Sequence, residues 1–564
     1  MPAKTLCLFL CTVFFDPASS QTIGLITHQQ GAAEGYTLFA PLASTTTYLI
    51  DNKGHLIHSW QSAYTPGNSV YLLPDGHLLR TATLGQDKNP VFTAGGRGGR
   101  IEKIAWDGSL VWSYEYCSDY FCHHHDIEVL PNGNILLIAW ERKTREEVIA
   151  AGRNPNRLKD DELWPDHVIE IKPEGNTNGT IVWEWHLWDH LIQDFDASKD
   201  NYGTVAAHSE LVDINFQAQV GADWNHLNAI HYHPELDQIM LSSRTFSEIW
   251  IIDHSTTTEE AAGHTGGRYA KGGDLLYRWG NPHAYRGGTR QDQQLFGQHN
   301  TQWIPSALPG ENNILLFNNG DSRIGLKYSS IEELVTPLQA DGTYTQPQPF
   351  QAYLPEEPVW HYQADEPQTF YSHHISGVQR LANGNTLICE GASGTLFEVT
   401  PDKELVWLYI NPVTGNGIAQ QGTPVSELKN NSVFRAWRYS PDYPAFEEQT
   451  LITGDPIEQY ENTGVDNGPT APQTFTLLQN YPNPFNAQTR IEFTLDKPQR
   501  IELDIVNALG QNIKNLLSEW KDEGKHTLHW NGCDERGKCV QSGVYFYRLS
   551  SKAGMQSEKM ILIR

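Results

Sequence analysis

The stretch IEVLPNGNILLI (127–138) decides the fold. Two short apolar, β-branched runs flank Asn132-Gly133, a dipeptide suited to tight hairpin turns because it tolerates positive φ. The unit recurs as VYLLPDGHLLR (70–80), IHYHPELDQIML (230–241), TQWIPSALPGENNILLF (301–317), VQRLANGNTLI (378–388) and, abbreviated, SVFRAWRY (432–439). Before each hairpin comes an apolar run carrying a tryptophan: GHLIHSW (Trp60), GSLVWSY (Trp112), GTIVWEW (Trp183), DLLYRW (Trp279), EPVWHY (Trp360) and KELVWLY (Trp407). The two half-units together supply about four strands. Six such units without a long amphipathic helix predict an all-β chain, a six-bladed β-propeller. Insertions at 187–211 and 263–290 lengthen two units, and long loops on a repeat scaffold tend to carry function. One of them is expected to hold a short helix.

Beyond residue 455 the pattern stops. A polar, Pro- and Gly-containing stretch over 456–473 reads as a linker. Residues 474–564 alternate like a small immunoglobulin-like β-sandwich. At the other end, Lys4, the apolar run Leu6–Phe15 and the small residues Ala18-Ser19-Ser20 form the pattern of a signal peptide over 1–20. The expected divisions are therefore 1–20, 21–455, 456–473 and 474–564. No later stretch reaches the roughly 18 apolar residues of a membrane helix, so the mature chain is expected to be exported, secreted or held at the cell surface. Forty basic against 67 acidic residues leave a net charge of −27, which disfavours nucleic acid and anionic lipid as partners. Cys117/Cys122 and Cys533/Cys539 are close pairs that an oxidising compartment permits as disulfides, and Cys389 reads as a buried thiol.

Aligning the hairpins on their turns gathers the histidines. His123, His226 and His374 each lie eight residues before the turn point; His125, Asn228, Ser376 and His299 lie six before it. In a propeller these strand starts converge on one channel. Arg244, across the hairpin from His226, belongs to the same mouth. Imidazoles around a cavity suit a transition metal, but no carboxylate or thiolate occupies the aligned positions and an arginine opposes a cation. A planar guanidinium with His and Asn donors suits a sulfate or phosphate oxygen cluster instead, with one neutral His as nucleophile.

The stretches HHHDIEVLPNGNILL, DWNHLNAIHYHPELDQIMLSSR, GQHNTQWIP with NNILLFNNGDSR, and SGVQRLANGNTLICEGASGTLFEVTPDKELVWLYINP resemble the bacterial arylsulfate sulfotransferases over roughly residues 35–445. The resemblance implies a six-bladed propeller that moves a sulfuryl group from a phenolic sulfate ester to a phenol through a sulfated histidine, without a nucleotide donor. It implies no metal and no organic cofactor. By motif, His299 resembles the nucleophile, while His226 and Arg244 resemble sulfate-binding and transition-state groups. The HHHD block supplies another such group, His125 by strand parity with His124 as the alternative. His123, Asn228, His374 and Ser376 complete the expected substrate-binding set. The alternatives are a non-catalytic propeller that binds sulfated aromatics or glycans, and a metal-dependent propeller enzyme. The C-terminal segment, with YPNPF (481–485) and GVYFYRL, is similar to sorting domains read by the type IX secretion machinery.

Overall fold

The computed structural model describes residues 21–85, 91–217, 221–459, 475–483, 485–507, 512–551 and 554–562. The expected signal peptide, Pro484 of the sorting signature and most of the expected linker lie outside them. The chain divides into two compact units, Met1–Tyr460 and Glu461–Arg564.

The described residues of the first unit hold six antiparallel sheets built on four strands each. Their first strands are Pro66–Leu72, Phe121–Val129, Leu227–His233, His299–Trp303, Gly377–Arg380 and Val433–Tyr439. Five of these begin the predicted hairpins. The sixth, late in the chain, pairs with Tyr36–Pro41 and so completes the earliest sheet. Successive first strands touch one another, and Val433–Tyr439 touches both Gly377–Arg380 and Pro66–Leu72. One addition was not expected: Gly24–His28 joins Leu405–Ile410 as a fifth strand.

The recurrent tryptophans explain how neighbouring sheets are held. All six sit on fourth strands: Leu56–Gln61, Leu110–Glu115, Asn178–His186, Tyr277–Trp279, Trp360–Tyr362 and Leu405–Ile410. Inner strands such as Gln238–Ser243 and Glu248–Asp253 are buried on both faces, whereas fourth strands such as Asn178–His186 alternate with solvent. An indole at this edge fills the gap to the next sheet, and its N–H still needs an acceptor. Trp112 donates to the Asn178 carbonyl (2.9 Å), Trp183 to Thr256 Oγ1 (3.2 Å), Trp279 to the Pro355 carbonyl (2.8 Å), Trp360 to the Pro401 carbonyl (3.1 Å) and Trp407 to the Asn52 carbonyl (2.9 Å). Asn178 opens the fourth strand of the next sheet, and each of the other acceptors lies in the loop that leads into the next sheet's fourth strand. Trp407 thereby fastens the sheet of Leu405–Ile410 to that of Tyr36–Pro41.

Neither insertion carries an α-helix. Their short turns are 3₁₀, at Leu187–His190, Val205–Ala207 and Pro282–Tyr285. The α-helical segments are Arg145–Ala150 and Thr258–Ala261, each started by a capping box, Thr144 with Glu147 and Thr257 with Glu260. Packing also continues past residue 455: Ile457 is buried in the apolar cluster around Trp407, and Gln459 bridges to Gln420.

In the second unit, Phe475–Leu477, Thr489–Leu495 and Gly524–Trp530 form one sheet, and Gln499–Asn507, Asn512–Lys521, Gly543–Ser551 and Gly554–Leu562 form another. Residues from both, among them Phe493, Leu503, Trp530 and Tyr547, share one core. Cys117 and Cys122 form a disulfide, while the sulfurs of Cys533 and Cys539 stand 3.3 Å apart.

Where the first strands meet lies a buried ion pair. Arg435 Nη1 is 2.8 Å from Asp126 Oδ2, with side chains 3 % and 0 % exposed. Arg435 also donates to Tyr71 Oη (3.1 Å) and the Asn228 carbonyl (3.2 Å), and Asp126 accepts from Tyr71 Oη (2.7 Å) and the Ile230 N–H (3.2 Å). Four first strands are joined by these bonds. Arg435→Met would strand the Asp126 carboxylate, and the expected loss is about 3–5 kcal/mol of stability. Denaturant unfolding of variant and parent measures it; a loss under about 1 kcal/mol would show that the pair does not hold the centre together.

Candidate functional site

The first strands do not start regularly, and that shapes the site. Opposite Ile138 alone stand His124, His125 and Asp126, a bulge in Phe121–Val129. Asn228 is likewise an extra residue between two paired ones, and so is one residue of Asn300-Thr301. Positive φ recurs here, at His125 (54°), His226 (48°), Asn300 (51°), Ile375 (51°) and Ser376 (90°). Strand parity fails across such bulges. The residues that share a face must therefore be read from the structure.

His124 is an anchor, not a lining residue. Its ring stacks on Trp140 (4.0 Å between centroids), its Nε2 is 2.8 Å from Asp166 Oδ1, and its Nδ1 is 2.8 Å from His125 Nδ1. Asp166 Oδ2 also takes hydrogen bonds from the Leu227 N–H (2.5 Å) and Asn225 Nδ2 (2.8 Å). His125 thus turns its other nitrogen away from this chain, with its ring 4.7 Å from that of His226. The space is tight: a Cβ on Gly96, whose φ is +80°, would come within 1.9 Å of the His125 ring. His226 is held in turn by Asp223, which hydrogen-bonds its Nδ1. Burial opposes ionisation of Asp223, but His226, Trp140 and His124 outweigh it and keep the carboxyl below its ordinary range.

His299 has one defined tautomer. Its Nδ1 is 2.7 Å from Asn319 Oδ1. The Asn319 amide cannot be reversed, because its Nδ2 donates to two carbonyls, Ser372 at 2.8 Å and Ile375 at 2.9 Å. Asn319 Oδ1 therefore accepts, His299 Nδ1 carries the hydrogen, and Nε2 holds a lone pair. Burial, then the positive field of Arg244, hold the His299 pKa well below the usual 6.5, against the opposing bond to Asn319. The imidazole is neutral at neutral pH, and its Nε2 presents a free lone pair.

Arg244 donates its backbone N–H to the His226 carbonyl (3.1 Å) and its Nη2 to Asp321 Oδ2 (3.1 Å). Phe434, beside Arg435, packs against His125 (6.0 Å) and His299 (6.3 Å). His374 faces the same field: burial, His373 and Arg244 lower its pKa to about 4. Beside Arg244 opens a cavity of about 530 Å³ lined by Arg157, His283, Arg290, Gln293 and Asp321. In a chain of net charge −27 this mouth is locally cationic, which suits an anionic ligand.

His125, His226, His299, Arg244 and His374 thus come together. Four of the expected residues stand differently, His124 behind His125 being the first. His123 points into the core, its Nδ1 3.1 Å from the Ile138 carbonyl, and burial lowers its pKa to about 3. The Ser376 hydroxyl is occupied, donating to Ser372 Oγ (2.8 Å) and accepting from the Gly391 N–H across the hairpin (3.0 Å). The Asn228 amide donates to the Gln298 carbonyl of the next sheet (2.7 Å), and its Oδ1 has no hydrogen-bond partner among the described residues. Asp166, Asp223, Asn319 and Asp321 were not singled out from the sequence. Asp223 in DWNH and Asn319 in FNNGDSR lay inside the quoted motifs, and three carboxylates do border the site, each occupied by a histidine or arginine.

Comparison with known proteins bears on this arrangement. Residues 479–564 match the model for the secretion system C-terminal sorting domain. An arylsulfate sulfotransferase of Escherichia coli O6:H1 is 24 % identical over 305 residues; these are 49 % of this chain and 46 % of that protein, so the chain spans less than half the length of this relative. Among solved structures, a protein of unknown function from Bacteroides caccae aligns over 72 % of this chain and 99 % of its own at 11 % identity and a TM-score of 0.39. The Cps50 (Swd1) β-propeller domain of Myceliophteria thermophila aligns over 68 % and 89 % at 10 % identity and a TM-score of 0.34. Residues 32–432, most of the chain and the whole of the histidine cluster, match the arylsulfotransferase (ASST) model, and the chain belongs to that family.

Proposed function

We propose that this chain is an exported, six-bladed propeller enzyme that moves a sulfuryl group from a phenolic sulfate ester to a second phenol, with sulfated His299 as the intermediate and no nucleotide sulfate donor. The observation that carries this reading is the Asn319-pinned tautomer, which leaves a neutral Nε2 lone pair beside Arg244. The sorting-domain match supports delivery by the type IX secretion machinery, with an immunoglobulin-like sandwich as the sorting module and a signal peptide over residues 1–20.

In the first half-reaction the ester's sulfate oxygens lie on the Arg244 guanidinium, whose remaining N–H groups are available beyond Asp321. His299 Nε2 attacks sulfur as the S–O(aryl) bond breaks. The departing phenolate takes a proton from His125 Nε2. The buried chain Asp166–His124–His125 supplies that proton: with Asp166 as the carboxylic acid, each hydrogen bond runs toward His125 and leaves Nε2 protonated. Once Nε2 gives up its hydrogen, the hydrogens shift along the chain and Asp166 becomes the carboxylate. Burial and the nearby Asp223 push the Asp166 pKa well above the ordinary carboxyl range, which suits a group that alternates between the two forms. In the second half-reaction the acceptor phenol returns a proton to His125 as its oxygen attacks sulfur and the Nε2–S bond breaks. His226, paired with Asp223, stabilises charge on the sulfate oxygens.

Purified protein mixed with a chromogenic aryl sulfate and a phenol should release the chromophore and form the new aryl sulfate without any nucleotide. Arg244→Lys keeps the charge but loses the planar fork, and kcat/KM should fall by about 2–3 kcal/mol, roughly 30- to 150-fold. No transfer by the parent protein would overturn the catalytic reading in favour of a binding protein. Near-normal kcat/KM in Arg244→Lys would move the sulfate site elsewhere.

Asp166→Asn tests the proton chain. An amide fills the same space but cannot exchange a proton with His124. The expected loss is about 10²–10⁴-fold with donors whose phenols are poor leaving groups, and much less with nitrophenyl sulfates, whose phenolates need no acid. An equal loss across all donors would reduce Asp166 to a structural prop.

A further inference from the structure

A second histidine cluster lies outside the site, where the two insertions meet. His190 ends the 3₁₀ turn Leu187–His190 and is fully buried. His264 and Asp274 belong to the segment between Thr258–Ala261 and Tyr277–Trp279. Asp274 Oδ1 is 2.8 Å from His190 Nδ1 and 2.7 Å from His264 Nδ1. His190 Nε2 is 2.9 Å from the Ala261 carbonyl.

These contacts set two acceptor atoms face to face. A carbonyl only accepts, so His190 Nε2 carries a hydrogen. A neutral imidazole then presents a lone pair at Nδ1, and here it faces a carboxylate oxygen, another acceptor. Two acceptors 2.8 Å apart need either a shared hydrogen or a metal ion between them. A second imidazole on the same carboxylate oxygen completes a set of three metal-type donor atoms at one point.

The surroundings are those of a built site. Trp185 stacks parallel to His190 (5.7 Å, 6°) and donates its N–H to the Gly273 carbonyl (2.7 Å). A Cβ at position 273 would come within 2.0 Å of the Ala261 carbonyl and 2.6 Å of His190 Nε2, so glycine is required for this approach. The His190–Ala261 bond fixes the ring and its tautomer, as an outer partner does for a metal-ligating histidine. On the other side, His264 is 59 % exposed at a cavity of about 380 Å³ that His208, Glu210 and Lys271 also line.

We infer that His190 Nδ1, His264 Nδ1 and Asp274 Oδ1 bind a divalent transition metal, zinc, with the fourth position open to this cavity. The donor atoms lie within 4.8 Å of one another. Two imidazole nitrogens and one carboxylate oxygen are a zinc-type set. Tetrahedral zinc with bonds of about 2.0–2.1 Å spaces neighbouring donors about 3.3 Å apart. The two imidazole–carboxylate contacts, at 2.8 and 2.7 Å, need to open by about half an ångström, by a swing of the exposed His264 and a shift of the Asp274 carboxylate away from His190. The metal would clamp the first insertion to the second, both inserted between strands of the sheets that carry His125, His226 and Arg244.

The test uses the full chain, stripped with chelator and titrated calorimetrically with ZnCl₂ in a non-chelating buffer, beside His264→Ala. His264 is largely exposed, so the variant should fold; its melting temperature in chelator, matched to the parent's, checks this. The parent should bind one zinc per chain and keep it through desalting, with a higher melting temperature when loaded. The variant should bind at that site at least about a hundredfold more weakly, beyond the 10- to 100-fold typical of losing an outer partner, and show no thermal gain. Parent and variant taking up zinc equally, or the parent retaining none, would overturn the assignment and leave His190, Asp274 and His264 as a hydrogen-bonded cluster.

Discussion

The ion pair between Arg435 and Asp126 is the constraint on which the first unit turns. Arg435 enters on the last strand of the unit, Val433–Tyr439, and meets a carboxylate that entered far earlier, on Phe121–Val129. Neither charge is stable alone in a dry centre, because an unpaired buried ion costs several kcal/mol. The late strand must therefore seat before Asp126 is satisfied. Its hydrogen bonds to Tyr71 and Asn228 extend the same demand to two further sheets.

Assembly of the fold and assembly of the site are one event in this arrangement. Asp126 follows His125 directly, and Phe434 precedes Arg435. Seating the pair places Phe434 against the rings of both His125 and His299. The histidines arrive from separate sheets, each on a bulged or left-handed strand start, and each is held from behind: His125 by His124 and Asp166, His226 by Asp223, His299 by Asn319. Burial holds the pKa of His125 and of His299 well below the ordinary value, while these partners set which nitrogen is left free. Chemistry here depends on tautomers more than on charge.

Much of this was legible in the sequence. The six tryptophan runs fall on the fourth strands, and the hairpin dipeptides mark the first turn of their sheets, because edge-filling indoles and positive-φ turns leave local signatures. The histidine cluster also came from aligning repeats. What stayed hidden was set by contacts distant in sequence. Asp166 reaches His124 across 42 residues and Asn319 reaches His299 across 20, with nothing local to announce either. Parity misplaced His123 and Ser376 because the bulge at His124–Asp126 and the left-handed Ile375-Ser376 pair reset which face each side chain takes. The insertions read as irregular because their order comes from the contacts of His190, Trp185 and Arg278, not from periodicity.

The central claim is that His299 Nε2 receives the sulfuryl group. Protein incubated with an aryl sulfate and no acceptor, quenched at alkaline pH to preserve a sulfated imidazole, and digested for mass spectrometry tests it directly. The expected result is an added SO₃ on the peptide holding His299, discharged by added phenol and absent from His299→Asn. An adduct on His226 or His125 instead, or transfer in full with no adduct on any histidine, would contradict it.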